Sequence, residues 1–186
     1  MTTAAAVAVL GLGAMGLPMA TNLAERFPVR GFDVVAERRA LAERAGVVPT
    51  GTAAEAVAGA DVVLIAVRDQ AQLEQLLFGE TGIAPRMRRG AVVLLTSTVG
   101  VAGVRAVAPR LAEAGLGLVD APVSGGPARA GDGDLLVVVG ADDDAWAAAE
   151  AVLEVMASTL VRVGDAPGDG QAMKTVNQLL CGVHIA

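Results

Sequence analysis

An apolar run, Val7-Ala8-Val9-Leu10, breaks directly into Gly11-Leu12-Gly13-Ala14-Met15-Gly16 and then into a helical pattern. Three glycines at that spacing say little alone. Their setting is what constrains the fold: a strand precedes them, a helix follows, and an acid, Asp33, closes the next strand. Each glycine then has a mechanical duty. Gly11 permits the tight turn, Gly13 lets the backbone approach a pyrophosphate, and Gly16 lets helix and strand pack closely. Unpaired N–H groups of the helix's first turn face the phosphates. Leu12, Ala14 and Met15 complete this candidate cradle, and Asp33 is the candidate partner of the adenosine ribose.

Composition narrows the classes. The 186 residues carry a formal charge of −6 and are 54% hydrophobic but 2% aromatic, which suits an Ala/Val/Gly-rich α/β protein with a real core. The acidic balance argues against nucleic acid as a partner, and the cluster Arg86-Met87-Arg88-Arg89 is too short to reverse it and reads as a solvated loop. The single cysteine, Cys181, excludes an internal disulfide and offers no metal cluster. Such usage fits a reducing compartment, so the cytoplasm is the expected location. No basic start with a cleavage site and no bilayer-length apolar run is present, so no membrane partner is expected.

Apolar runs alternate with helical segments. Strands are expected near Ala6–Leu10, Val29–Phe32, Val62–Val67, Ala91–Leu95, Leu118–Val119, Leu135–Val139 and Leu160–Val163. Helices are expected near Ala14–Arg26, Glu37–Ala45, Gln70–Phe78, Val101–Ala114 and Asp144–Met156, the last capped by Asp142-Asp143-Asp144. Continuous rather than alternating apolar strands imply burial on both faces, hence a doubly wound, mostly parallel α/β sheet with helices on either side. The last segment, Asp169 through Ala186, patterns as a helix whose apolar positions Met173, Val176, Leu179, Leu180 and Val183 run on without a stop signal. Residues 1–165 are therefore expected to form a dinucleotide-binding domain, and residues 166–186 the start of an interdomain helix leading to a domain absent from this chain.

Three later segments carry further chemistry: Leu94-Leu95-Thr96-Ser97-Thr98-Val99, Asp120-Ala121-Pro122-Val123-Ser124-Gly125-Gly126, and Gly170-Gln171-Ala172-Met173-Lys174-Thr175-Val176-Asn177-Gln178. The second ends a strand and turns through paired glycines, presenting Ser124 and backbone N–H groups where α/β ligands usually sit. Such donors suit a carboxylate; an ordinary Ser-Gly-Gly turn is the alternative. In the third, Lys174 and Asn177 are three apart and share a helix face, which Cys181 and His184 extend. A lysine desolvated there would have a lowered pKa and could exchange a hydroxyl proton, whereas an unassisted reading makes it a solvated surface lysine. His184, almost three turns beyond Lys174, fits packing better than catalysis; Cys181 reads as a buried small residue, and Trp146 and the methionines as core.

Taken in order, these segments resemble the β-hydroxyacid dehydrogenase family, which includes 3-hydroxyisobutyrate dehydrogenase and tartronate semialdehyde reductase and shares the NAD-binding domain of 6-phosphogluconate dehydrogenase. Within it, Leu77-Phe78-Gly79 and Val176 through Ala186 look most like L-threonate dehydrogenases. The resemblance implies an NAD-dependent enzyme acting on a small hydroxyacid substrate, with an all-helical second domain through which it forms a homo-oligomer. It implies that Lys174 is the catalytic acid/base, that Ser124, Gly125, Gly126 and Asn177 bind substrate, and that Val67, Arg68, Gln72 and Thr98 line the cofactor groove. Arg68 and Gln72 depart from the Pro and Asn common in the hydroxyisobutyrate branch, which weakens that substrate assignment but not the NAD site; the preferred substrate is a short polyhydroxy acid of the threonate type, with a branched or simpler 3-hydroxy acid as the alternative. From another class, a module that binds NAD without turnover, or an interaction module, is the alternative, and Lys174 argues against it.

Asp33 decides the cofactor. Its carboxylate would accept from the ribose hydroxyls and repel a 2′-phosphate, so NAD is favoured over NADP. Val34 and Val35 supply no arginine beside it, and Arg38 and Arg39 are expected to face solvent.

Overall fold

A computed structural model describes residues 5–185; the first four residues of the expected first domain and Ala186 of the expected last helix lie outside the described residues. The chain alternates as expected: β1 (Val7–Leu10), α1 (Gly16–Ala24), β2 (Val29–Phe32), α2 (Ala36–Arg44), β3 (Val48–Pro49), α3 (Ala53–Val57), β4 (Val62–Ile65), α4 (Gln70–Phe78), β5 (Val92–Leu95), α5 (Gly100–Glu113) and β6 (Gly117–Asp120). The second half follows with β7 (Val123–Ser124), α6 (Gly126–Gly131), β8 (Leu135–Gly140), α7 (Asp143–Met156), β9 (Ala157–Gly164) and α8 (Asp169–Ile185). Strands β3, β2, β1, β4, β5 and β6 lie side by side in that order, all parallel. Beyond β6 the direction reverses: β8 runs antiparallel to β6 and β7, and β9 adds parallel to β8.

The apolar strands explain this architecture. Every residue of β1, β4 and β5 is buried, and alternate positions feed opposite cores. Val7, Val9, Leu64 and Leu94 pack with Met19 and Leu23 of α1 and Val152 and Leu153 of α7. Ala8, Leu10, Ile65 and Leu95 pack with Leu73 and Leu77 of α4 and Val104 and Leu111 of α5. A sheet buried on both faces needs helices on both, and the α1/α7 and α4/α5 layers supply them. Helix starts follow local chemistry: Asp142 accepts from the Ala145 N–H at 2.8 Å, and Thr52 with Glu55 forms a reciprocal capping box on α3.

Short elements escaped the sequence pattern. Strand β7 and helix α6 meet at Gly125, whose φ of +140° breaks the chain direction, and β3 is two residues long. Strand β9 is twice the expected length because only part of it is apolar; its remaining ladder pairs along β8.

The order of strands reverses between β1 and β4, so their carboxyl ends open a crevice. Gly16 closes the packing there: a Cβ on it would stand 1.7 Å from the Gly11 carbonyl oxygen. Gly16→Ala should therefore lower unfolding free energy by about 1–3 kcal/mol through overpacking; an unchanged urea midpoint would refute this account of the turn.

Candidate active site

The crevice begins at the glycine loop. Gly11 has φ +94°, and a Cβ on it would meet the Ala66 carbonyl at 2.2 Å, so turn and packing both demand glycine. Gly13 differs. Its backbone needs no positive φ, and a Cβ there would meet only the Arg38 Nη1 at 3.8 Å. Nothing in the protein explains a bare backbone at Gly13, whereas the close approach of a pyrophosphate does. Helix α1 starts after Met15 with no side-chain cap; the Leu17 and Met19 N–H groups already bond the Gly13 and Met15 carbonyls, so the N–H groups of Ala14, Met15 and Gly16, with Ala14 exposed, are the donors left for phosphate oxygens. The cradle fits a dinucleotide.

Asp33 follows β2 directly and is 6% exposed. Its Oδ2 accepts from the Leu12 N–H at 2.8 Å and its Oδ1 from the Val35 N–H at 2.9 Å, so the acid fastens the glycine loop to the end of β2. Contrary to the sequence expectation, Arg38 and Arg39 do not simply face solvent. Arg38 Nη1 lies 3.3 Å from Asp33 Oδ2, and Arg39 donates to the Asp33 carbonyl oxygen and lies over the Phe32 ring. Helix α2 starts so soon after the strand that its first turn folds both side chains back onto Asp33.

The opposite wall is made by the loops after β4 and β5. The Val67 N–H donates to Ser97 Oγ at 2.8 Å, and the Arg68 N–H to Gln72 Oε1 at 3.1 Å. Gln72 thereby shapes its own loop, Arg68 stays exposed, and Thr98 stands exposed at the strand end. Sequence reasoning missed Ser97, a buried hydroxyl between the loops after β4 and β5.

The third cluster joins α8 to the β7 turn. Lys174 Nζ donates to the Val123 carbonyl oxygen at 2.9 Å and lies 2.6 Å from Ser124 Oγ; Asn177 Nδ2 lies 3.4 Å from the same oxygen. Gly125 and Gly126 turn the chain beside them with φ of +140° and +79°, and a Cβ on Gly126 would enter open space. Ser124, Lys174 and Asn177, with Leu136, Val138 and Met173, line a cavity of about 110 Å³. Burial lowers the Lys174 pKa from its ordinary value of 10.5, because a desolvated ammonium favours losing its proton. The structure thus brings together Lys174, Ser124 and Asn177 from segments about fifty residues apart.

Helix α8 is seated by a fully buried pair that sequence reasoning did not find. Asp120 Oδ2 accepts from the Gly168 and Gln171 N–H groups, both at 2.9 Å, and its Oδ1 accepts from Gln171 Nε2 at 2.8 Å. Gln171 Nε2 also donates to the Ser97 carbonyl at 3.1 Å, and its Oε1 accepts from the Val99 and Gly100 N–H groups at 3.0 and 2.9 Å. Burial raises the Asp120 carboxyl above its ordinary 3.8, against the pull of these donors. Further along α8, Cys181 is exposed rather than buried, because the helix face beyond Asn177 leaves the domain. His184 Nδ1 donates within its own helix, to the Leu180 carbonyl oxygen at 2.8 Å. Trp146 is only partly buried, with Arg162 over its ring, and Met173 is exposed where the other methionines on α1 and α7 are core. Among the described residues no three His, Cys, Asp or Glu side chains converge as a metal site, and no helix is long and apolar enough to cross a membrane.

A glycine cradle at the switch point, an acid after the second strand and donors at the neighbouring strand ends define a dinucleotide-binding α/β domain. The chain belongs to the family described as the NAD binding domain of 6-phosphogluconate dehydrogenase, which matches residues 6–164. It is similar to the L-threonate dehydrogenase of Cupriavidus necator, 41% identical over 181 residues that cover 97% of this chain and 61% of the relative. A solved structure described as 3-hydroxyisobutyrate dehydrogenase from Salmonella typhimurium superposes with a TM-score of 0.90 at 33% identity, covering 97% of this chain and 63% of that one. The Mycobacterium tuberculosis 3-hydroxyisobutyrate dehydrogenase, solved with L-serine, gives 0.91 at 34%, covering 97% and 61%. The chain spans about three fifths of the length of these relatives.

Two substitutions separate cradle from clamp. Gly13→Val should abolish NAD binding in calorimetry while the melting curve stays near wild type, since the side chain enters phosphate space and not the core; wild-type affinity in the folded variant would refute the cradle. Asp120→Asn sets an amide donor against the donors that Asp120 now receives, and should lower unfolding free energy by about 1–3 kcal/mol. An unchanged denaturation midpoint would remove that pair from any account of how α8 is held.

Proposed function

We propose that this domain supplies the NAD site and the acid/base lysine of an enzyme that oxidises, or in reverse forms, a short polyhydroxy or β-hydroxy acid of the threonate type. The observation that carries the reading is the juxtaposition of Lys174 Nζ with Ser124 Oγ at 2.6 Å beside Asn177, in a cavity at the strand ends. Neutral Lys174 takes the substrate hydroxyl proton in oxidation and returns it in reduction. Ser124, whose oxygen already receives Lys174 and Asn177, turns its own hydrogen toward the substrate carboxylate, with Gly125 and Gly126 keeping that rim free of side chains. Asn177 orients the hydroxyl-bearing carbon. Bound NAD supplies the hydride acceptor; residues 11–16, Asp33, Val67, Arg68, Gln72 and Thr98 hold it along the crevice.

A threonate-like substrate is supported by the 41% identity to the Cupriavidus necator enzyme and by Arg68 and Gln72, the positions that depart from the hydroxyisobutyrate pattern. Acids of the 3-hydroxyisobutyrate or tartronate semialdehyde type are the alternative within the class. The family match ending at residue 164 supports a division after residue 165, and the greater length of the relatives supports further chain beyond α8, which the resemblance makes a helical domain through which subunits associate. Single-cysteine composition supports a cytoplasmic location.

A screen of short hydroxyacids with NAD, read by NADH absorbance, tests the reading; NAD binding without turnover of any of them would favour a non-catalytic module. Because the Lys174 pKa lies below 10.5, the neutral amine is available at lower pH than on a free lysine. Oxidation should therefore rise with pH along a limb whose midpoint lies below that value. Lys174→Ala should flatten this limb and lower kcat by about 10²–10⁴-fold with NAD affinity unchanged, and Lys174→Arg should not rescue, since a guanidinium keeps its proton. Full turnover in Lys174→Ala would exclude the lysine from the chemistry.

A further inference from the structure

We propose that Gln171 is a positioning residue: one buried amide holds Thr98 of the cofactor wall and Lys174 in a fixed relation, so that its loss costs turnover more than binding. The inference rests on the reading of Lys174 as the acid/base. Thr98 stands exposed at the end of β5, and both peptide groups that flank it are taken by the same side chain. Gln171 Nε2 donates to the Ser97 carbonyl oxygen at 3.1 Å, and Gln171 Oε1 accepts from the Val99 N–H at 3.0 Å. With both peptide planes held, the backbone of Thr98 has no free rotation left. The same Oε1 accepts from the Gly100 N–H at 2.9 Å. Helix α5 begins there with no cap from a local side chain, so Gln171 caps it from α8.

Helical geometry supplies the other end of the relation. Lys174 follows Gln171 by three residues on α8, about 4.5 Å along the axis, so whatever fixes the amide also fixes the root of the lysine side chain. Gln171 is 0% exposed. Asp120 completes its hold, accepting from Nε2 at 2.8 Å and from the Gln171 N–H at 2.9 Å. A side-chain amide offers two donor hydrogens and an acceptor with two lone pairs on one plane, and all four are used here. An apolar side chain of similar size could fill this space but could not hold the peptides. In the proposed reaction the substrate's reacting carbon faces the cofactor wall while its hydroxyl faces Lys174, so wall and lysine must stand in register. A misplacement of about 1 Å in such an arrangement can cost roughly 10²-fold.

Steady-state kinetics and NAD calorimetry on the full-length protein test this, in wild type, Gln171→Met, Lys174→Ala, the double variant and Asp61→Ala. Asp61 holds the Ala6 N–H and Arg88 at the amino end of β4, the opposite edge of the sheet from the crevice, so its removal controls for lost stability alone. Gln171→Met should lower kcat about 10–100-fold while KM and the NAD dissociation constant change less than about threefold. Asp61→Ala should keep the wild-type kcat per folded molecule. In the Lys174→Ala background Gln171→Met should cost less than about threefold, since no lysine is left to misplace. Gln171→Glu decides the matter if Gln171→Met does not fold. Its carboxyl, when protonated, still donates to Asp120; when ionised, it repels Asp120, beside which Asp169 adds a like charge. That repulsion raises its pKa, so its hold is present at low pH and lost as pH rises, and kcat relative to wild type at the same pH should rise as pH falls. Wild-type kcat in folded Gln171→Met, a matching loss of kcat in Asp61→Ala, equal losses with and without Lys174, or a Gln171→Glu ratio that is flat with pH would each overturn the positioning role. Full turnover in Lys174→Ala would instead overturn the reading of the lysine on which it rests.

Discussion

A carboxylate with no access to water is tolerable only when donors surround it, and Asp120 has three, two of them from Gln171. The same glutamine side chain satisfies the N–H groups that open α5 and the carbonyl of Ser97. One buried pair thus ties the ends of β5 and β6 to the first turn of α8. Lys174 lies three residues beyond Gln171, so its reach to Ser124 is set by how firmly that turn is seated. Glycines permit the approach: a Cβ on Gly170 would stand 2.5 Å from the Asp120 carbonyl oxygen. The site depends on this clamp because neither α8 nor the β7 turn has another buried polar attachment of comparable density among the described residues.

What the sequence made legible follows from burial. Strands β1, β4 and β5 stand out because both faces are apolar and buried, and the helices between them announce themselves by periodicity. The glycine loop and Asp33 are local, within about one βαβ unit, and were legible for that reason. The Asp120–Gln171 clamp joins residues 51 apart, and no periodicity encodes such a pairing. Ser97 was hidden in the same way, its hydroxyl meeting Val67 across 30 residues. Strand β7 and helix α6 are too short to carry a period. Arg39 was misjudged because charge suggested solvent, whereas the tight turn from β2 into α2 carries it back onto the Asp33 carbonyl; Arg38 stays half exposed, as expected, while also reaching the Asp33 carboxylate.

The glycines divide into two kinds that the bare sequence treats alike. Gly11, Gly16 and Gly170 are fixed by contacts that a methyl group would violate. Gly13 and Gly126 are surrounded by room. A glycine required by packing speaks of the fold. Room alone does not mark a ligand site, since Gly46, Gly59, Gly90 and Gly100 also face open space and serve turns at positive φ; Gly13 and Gly126 are set apart by lying at the phosphate cradle and the Ser124 turn, where the family resemblance expects ligands. For Gly126 the positive φ supplies part of the reason, but for Gly13 it does not.

Lys174 sits at a boundary between two environments along one helix. Toward its start, α8 is held against Asp120, and the lysine loses enough water to lower its pKa. Toward its end, Val176, Leu179, Leu180 and Val183 are 52–67% exposed, an apolar stripe that water solvates poorly. At about 100° per residue these four side chains centre on the side of α8 opposite Lys174, and Met173, which lines the cavity, stands at the border between the two faces. The face that α8 presents to the domain, where Lys174 meets Val123 and Ser124, is therefore the one that takes water from the lysine, and the apolar stripe is turned away from it.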